Sequence, residues 1–355
     1  MTLPDPRLES LTRWLAEDLG LRPQQVSVAS ADASFRRYFR ASLPDGGTRI
    51  VMDAPPEHED IGPYLRVAGL LQDIGVHVPE VHAVDQGRGF ILLEDLGSTP
   101  YLGVLREAGR ADPLYGDALR ALARIQSRGA AAAAELAPYD AAVLRREMAL
   151  MPEWFAERHL GLTLSDADRG LIEDASTRLC DAVLEQPVVF VHRDYHSRNL
   201  MVLPEGGPGI IDFQDALAGP VAYDPVSLLK DCYIRWPRAQ VESWLRGYRD
   251  LLRASGAAAL AGASEREVLR WFDLVGAQRH LKVLGIFARL WWRDGKPGYL
   301  DDLPLTLDYL LDACERLPEL AGLGGWLRRE AAPRLAAAHA RARAAGAPRC
   351  RRRRG

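Results

Sequence analysis

Residues 191–216 read VHRDYHSRNLMVLPEGGPGIIDFQDA. The stretch belongs to a β-prone insertion, VVFV through IIDF, that interrupts an otherwise helical pattern and turns on Glu205-Gly206-Gly207. Asp194 and Asn199 stand five residues apart before the turn, and Asp212 follows on the returning run. A short hairpin of this kind brings Asn199 and Asp212 to one end. Aspartate and asparagine also cap ordinary turns. Two unrelated turns, however, rarely yield both patterns in this order with β-prone runs on either side.

Working outward, residues 7–20 carry Leu8, Leu11, Trp14, Leu15 and Leu19 at helical spacing. FRRYFRASL, the DGG turn at 45–47 and TRIVMDA together predict a β-hairpin. Helical spacing returns at 61–74, and Pro79 to Leu96 predicts two strands around Asp85-Gln86-Gly87. Beyond Gly97 the pattern predicts helices at 114–127, 142–159, 166–185, 226–234, 239–255, 265–292 with some interruption, and 305–317. GAAAAAE at 129–135 reads as a surface loop or helix end, and no repeat of fixed period occurs. The expected architecture is α+β and two-lobed: a β-rich lobe at 1–97 ending in a connector near 94–98, a mainly helical lobe at 98–333, and a basic, disordered tail at 334–355.

Composition sets the outer limits. A chain of 355 residues that is 48% hydrophobic and 26% charged has ample material for a core. Cys180, Cys232, Cys314 and Cys350 lie far apart without zinc-ligand spacing, so reduced thiols and no structural metal are expected. The amino terminus is amphipathic rather than signal-like, and no segment approaches a membrane span, which makes the cytoplasm the expected location. The net charge of −3 hides an asymmetry: residues 334–355 hold eight arginines and no acid, leaving −11 for residues 1–333. Such a terminal run is expected to be solvated; a dedicated nucleic-acid binder carries its charge on a folded face. A monomer acting on a small molecule is the expectation.

His192-Arg193-Asp194 with Asn199, followed by Ile211-Asp212-Phe213, fits a kinase catalytic loop and its metal-binding strand. In that chemistry Asp194 accepts the proton of a substrate hydroxyl, while Asn199 and Asp212 offer oxygen ligands to Mg2+ bridging the phosphates of ATP. His196 reads equally well as a substrate contact or as a loop histidine satisfied by its neighbours.

These motifs resemble the aminoglycoside phosphotransferase and choline kinase superfamily. Within it, ASFRRYF at 33–39, VMDAPPE at 51–57, GFILLEDLG at 89–97 and QRHLKVLGIFARLWWRDGK at 278–296 are similar to the anomeric sugar kinases of cell-wall recycling, which act on N-acetylmuramate and N-acetylglucosamine. The resemblance implies a protein-kinase-like fold, Asp194 as base, Asn199 and Asp212 as metal ligands, and the backbone of Glu94 to Leu96 as the adenine-binding hinge. On the substrate side the candidates are His196, Arg279 and Arg293, because cations suit the carboxylate of N-acetylmuramate. Asp224 in AYDP reads as the N-cap of the next helix ahead of Pro225.

The chain departs from the kinase pattern in two places. Its three lysines, Lys230, Lys282 and Lys296, all lie outside the first lobe, and Asp53 stands where the hairpin would put the phosphate-binding lysine. Arg36, Arg37 and Arg40 on the preceding strand are the available replacements, with Arg36 and Arg40 as the nucleotide-binding candidates. The turn SADASF at 30–35 lacks glycines, so Ala33 and Ser34 are expected to permit close backbone approach to the nucleotide. The competing functions are an aminoglycoside kinase, whose polycationic substrate favours a carboxylate-lined cleft, and a non-catalytic nucleotide-binding regulatory or RNA-associated protein.

Overall fold

Asp5 accepts hydrogen bonds from the backbone N–H groups of Arg7 and Leu8, and so caps helix α1 (Pro6–Arg13), where Pro6 needs no donor. This is the start of the computed structural model, which describes residues 5–31, 35–256 and 262–346. The chain forms two compact units, one of residues 1–121 with 198–215, the other of residues 122–197 with 216–355.

The first unit is built on a five-stranded antiparallel sheet in the order β1-β2-β3-β5-β4. Its strands are β1 (Gln25–Ala31), β2 (Arg37–Ser42), β3 (Thr48–Asp53), β4 (Val81–Asp85) and β5 (Phe90–Glu94). Strand β1 was not expected from the sequence; the β2–β3 and β4–β5 pairs were. Because strand side chains alternate between faces, Phe39, Ala41, Val51, Phe90 and Leu92 fall on one side and bury Leu11, Trp14 and Leu15 of the amino-terminal helical segment. The β4–β5 turn depends on Gly89, whose φ is +72° and whose added Cβ would run into the Ala54 carbonyl oxygen. Helix α2 (Gly62–Ile74) ends on left-handed Gly75. A separate hairpin, β7 (Leu200–Val202) with β8 (Pro208–Ile210), completes the unit.

The second unit is mainly helical around one short antiparallel pair, β6 (Val188–Val191) and β9 (Leu217–Pro220). Helix α3 (Ala111–Arg128) runs into it from the first unit. It then holds α4 (Ala141–Met148), α5 (Asp166–Leu184), α6 (Tyr223–Leu229), α7 (Arg238–Ala254), α8 (Glu265–Trp292), α9 (Leu303–Arg316) and α10 (Ala332–Ala345). The helix expected at 142–159 is divided: Met151–His159 is wound as a π-helix with Pro152 in its first turn, where proline cannot donate to the preceding turn. The interruption expected in 265–292 does not occur. Ser264 and Glu267 form a capping box, and α8 then runs 28 residues, about 42 Å at 1.5 Å per residue. Its Gly285 admits the backbone of Leu150, which a Cβ would overlap.

The expected lobe boundary at 97 and the packed boundary at 121 differ, and residues 198–215 return to the first unit. The tail expected to be disordered from 334 is helical as far as Ala345, because alanine has high helix propensity and Leu335, Ala338 and Ala342 are buried. The remainder of that expectation, residues 347–355, lies outside the described residues. Cys180, Cys232 and Cys314 are free and buried. Among the described residues no helix is long and apolar enough to cross a membrane.

Candidate active site

The chain leaves the second unit between Ser197 and Arg198 and returns to it after Asp215, so the loop that carries Asp194 and the hairpin that carries Asn199 and Asp212 belong to different units.

In the second unit, strand β6 delivers His192 into a loop held at both ends by buried carboxylates. Asp224 accepts the backbone N–H of His192 at 2.7 Å and of Arg193 at 3.0 Å. Asp231 accepts the backbone N–H of Ser197 at 3.0 Å, the Ser197 hydroxyl, and the Tyr233 N–H at 3.1 Å. Between these anchors Arg193 adopts a left-handed conformation, φ 76°, which costs a non-glycine residue about 1–2 kcal/mol. Asp194 N–H donates to His192 Nδ1 at 3.3 Å, which leaves the neutral imidazole proton on Nε2.

The expected cap role of Asp224 is corrected here. Ala222 occupies the N-cap position of α6 with no side-chain cap, and Asp224 is fully buried within the first turn. Burial pushes its carboxyl up to about 7, although the two N–H donors and Arg279 pull the other way.

Asp194 is surrounded by cations. Burial raises its carboxyl, but Lys282, His196, Arg279 and Arg193 outweigh that and hold it below the usual carboxylate range. It is therefore ionised near neutrality and able to orient and accept a hydroxyl proton, though only as a weak base. The cations are themselves fixed. Glu147 on α4, nearly buried, binds Arg193 at 2.6 Å and Lys282 at 2.9 Å and accepts the Tyr139 hydroxyl. Lys282 also donates to the Tyr223 hydroxyl at 3.0 Å. Arg279 binds the Ser227 hydroxyl at 2.5 Å and lies over the Tyr223 ring, while its Nε is buried without a hydrogen-bond partner. His196 packs edge-on against Tyr233 at 5.5 Å. Arg293 does not join this group: it stands 14 residues beyond Arg279, about 21 Å along α8, exposed and paired with Asp294.

In the first unit, the β7–β8 turn is closed by Gly206 and Gly207, both at positive φ. The Ile211 N–H donates to the Asn199 carbonyl at 3.1 Å, which sets Asn199 beside Asp212. Asn199 Nδ2 lies 3.1 Å from Asp212 Oδ2, and Gln214 Nε2 lies 2.8 Å from Oδ1. Asp212 is also left-handed, φ 64°. These donors fit Mg2+, which takes hard oxygen ligands and binds through one or two carboxylates plus phosphates. Rotating the Asn199 amide presents its oxygen without moving the backbone. Among the described residues no group of three or more His, Cys, Asp or Glu could hold a metal by itself.

Beside the hairpin, Leu96, Met201 and Leu203 form an apolar cluster with Ile211 against it. Gly209 keeps this surface open, since a Cβ there would lie 2.8 Å from Leu96. The Glu94 side chain turns to His77 at 3.1 Å and to the Glu80 N–H at 3.2 Å, and the Glu94 backbone N–H donates to the Glu80 carbonyl at 2.9 Å. Arg40 is committed elsewhere: it holds Asp95 at 2.6 Å and the Gly97 carbonyl at 2.8 Å. Ala33 and Ser34 lie outside the described residues.

Asp53 does not take the place of a phosphate-binding lysine. It is opposite Arg37 in the β2–β3 register, buried, and paired with Arg37 at 2.6 Å and with Arg7 Nε at 2.7 Å. It therefore shares the face of Phe39 and Val51, the face covered by the amino-terminal helical segment. Glu147, Asp231 and Gln214 escaped the sequence reading. An isolated Glu in an amphipathic helix, an Asp before a turn and a Gln after a strand carry no pattern of their own.

Residues 25–262 match the phosphotransferase enzyme family known as APH. An N-acetylmuramate/N-acetylglucosamine kinase of Pseudomonas putida is 46% identical over 331 residues, covering 90% of this chain and 95% of the relative. The protein of the same name from Pseudomonas aeruginosa is 48% identical over 332 residues, covering 90% and 96%. Among solved structures, a choline/ethanolamine kinase family protein from Mesorhizobium loti superposes with a TM-score of 0.61 at 15% identity, covering 94% of this chain and 99% of the other. The ADP-bound aminoglycoside phosphotransferase APH(2'')-Ib gives 0.56 at 12% identity, covering 88% and 99%. The fold is thus that of the protein-kinase-like aminoglycoside and choline kinases, and the chain belongs to the APH phosphotransferase enzyme family.

Proposed function

We propose that this protein is an ATP- and Mg2+-dependent kinase that phosphorylates the anomeric hydroxyl of N-acetylmuramate and N-acetylglucosamine in cell-wall recycling. The observation that carries the reading is the 46–48% identity, over 90% of the chain, to two kinases named for these sugars. The cations around Asp194 support it, since Lys282, Arg279 and Arg193 suit an anionic amino sugar and would repel a polycationic aminoglycoside. In this reading the protein works in the cytoplasm, where ATP is supplied.

In this reading Asp194 holds the anomeric hydroxyl and receives its proton as the sugar oxygen bonds to the γ-phosphorus. The bond to the β-phosphate oxygen breaks and ADP leaves. In a loose transition state the proton moves late, so a carboxylate of low basicity suffices. Asn199 and Asp212 would hold Mg2+, whose contribution is to neutralise charge on the phosphates. Leu96, Met201 and Leu203 would face the adenine.

The product is a sugar 1-phosphate, which cannot ring-open. Incubation with either sugar, ATP and Mg2+ is expected to consume reducing ends in proportion to ADP formed. ADP accumulating with undiminished reducing ends would refute anomeric transfer. ADP formed only with an aminoglycoside would move the protein to antibiotic substrates.

A further inference from the structure

Helix α4 buries Leu144, Glu147 and Met148 on one face while Arg145 and Arg146 stay exposed, so its core-facing stripe gives one position over to a carboxylate. We propose that Glu147 is a positioning residue for phosphoryl transfer: by holding Arg193 and Lys282 it fixes the loop that presents Asp194. The inference rests on the kinase reading, with Asp194 as the base, and adds to it a residue on a distant helix that acts through Arg193.

A buried carboxylate persists only where donors surround it. Glu147 Oε1 receives Arg193 Nη2 at 2.6 Å and Lys282 Nζ at 2.9 Å, and Oε2 receives the Tyr139 hydroxyl, with Gln278 Nε2 3.5 Å away. These donors come from the loop that carries Asp194, from α8 and from the segment ahead of α4. They also hold one another. The Arg193 guanidinium lies over the Tyr139 ring at 5.8 Å, Tyr139 meets Tyr223 edge-on at 5.1 Å, and Lys282 donates to the Tyr223 hydroxyl at 3.0 Å. Two tyrosines, an arginine and a lysine therefore enclose one carboxylate. Burial raises it, but Lys282 and Arg193 outweigh that and keep it ionised.

What this enclosure does for Asp194 follows from the backbone. Arg193 is left-handed, φ 76°, and gives up about 1–2 kcal/mol to remain so; it must be held from outside. Asp224 on α6 takes the N–H groups of His192 and Arg193 at 2.7 and 3.0 Å, which ties the main chain. Glu147 ties the far end of the same residue, its guanidinium. With both ends tied, rotation at Arg193 is blocked, and so is the swing of Asp194 that would accompany it. Charge adds a second effect. Lys282 and Arg193 also act on Asp194, so removing Glu147 leaves two cations drawn to Asp194, and a carboxylate engaged by ion pairs has fewer lone pairs for an acceptor hydroxyl.

The test compares the full chain with its Glu147→Gln, Glu147→Asp and Arg193→Gln variants and with the Glu147→Gln/Arg193→Gln double variant. Glu147→Gln is expected to lower kcat for N-acetylglucosamine about 10^2-fold, with the KM for ATP and the Mg2+·ADP affinity by calorimetry unchanged, and Glu147→Asp to regain part of the loss. Arg193→Gln should fall by a similar factor and the double variant no further, because the two residues act as one unit. Near-wild-type kcat in Glu147→Gln, losses that multiply in the double variant, or Mg2+·ADP affinity falling in step with kcat would each overturn the assignment. Hydrogen exchange needs no sugar: the amides of residues 192–197 should exchange faster in Glu147→Gln while those of the β7–β8 hairpin do not, and equal protection of the loop would overturn the assignment. If Glu147→Gln fails to fold, Glu147→Asp and Arg193→Gln probe the same ion pair from its two sides, and wild-type kcat and exchange in both would count against it. A wild type that phosphorylates neither sugar but whose loop protection depends on Glu147 would support this assignment while sinking the substrate reading.

Discussion

The loop 192–197 and the hairpin 198–215 are consecutive on the chain, and each contains a left-handed non-glycine residue, Arg193 and Asp212 respectively. They are held by different means. The hairpin is shaped by neighbours in sequence: two glycines at its turn, the β7–β8 ladder, and amides from Asn199 and Gln214 on Asp212. The loop is shaped by distant carboxylates, Asp224 and Asp231, that reach its backbone, and by Glu147, which fixes the Arg193 and Lys282 cations. Neutral donors around Asp212 can yield to a metal ion. Buried charges around Asp194 cannot rearrange cheaply, which would suit the orienting role proposed for that carboxylate.

The contrast is tested most severely at its centre. Asp194→Asn keeps the shape and removes the proton acceptor, so kcat is expected to fall by about 10^3-fold while Mg2+·ADP affinity is retained. Near-wild-type turnover would exclude Asp194 as the base. Asp212→Ala should abolish Mg2+-dependent nucleotide affinity as well as turnover; unchanged Mg2+·ADP affinity by calorimetry would exclude Asp212 as a metal ligand.

Removing a distant anchor should hurt more than removing a local one. Asp224→Ala leaves the buried His192 N–H and the partly buried Arg193 N–H without their acceptor, and a loss of about 3 kcal/mol in unfolding free energy is expected, together with reduced kcat. Gly207→Ala on the hairpin, strained only by its positive φ, should cost about 1 kcal/mol. Denaturant melts of the two variants that came out equal would erase the distinction.

A further effect separates buried charge from buried neutral groups by pH. His159, pushed down to about 4 by burial, His339 and Arg341, is neutral in the folded chain. Its contribution is present above pH 6.5 and is lost as pH falls from about 6.5 to about 4, because the unfolded imidazole takes up the proton first. Asp224, raised to about 7, acts with the opposite sign: its contribution is complete below the usual carboxylate value and is lost as pH rises to about 7. The two windows overlap, so the comparison must be with variants. Relative to His159→Gln, the wild type should lose a further 1–3 kcal/mol, in rough terms, between pH 7 and pH 4.5. Parallel stability profiles would show that His159 is not the titrating group.

The sequence by itself determined the family and proposed the reacting groups. Asp194, Asn199 and Asp212 were legible because their chemistry demands fixed residue types at short spacings, and the β2–β3 and β7–β8 hairpins because glycine turns between β-prone runs are local signals. Only the tertiary structure decided what holds and charges that chemistry. Asp224 looked like a helix cap until its carboxylate was found on the backbone of residues 192 and 193, 31 or more positions away. Asp53 stood where a lysine was expected until the strand register showed it on the buried face with Arg37, and Arg37 and Arg40 were indistinguishable until their carboxylate partners separated them. A side chain's charge and shape are written in one position. Its burial and its partner depend on elements folded from far along the chain, and in a low-dielectric interior those set what the charge can do.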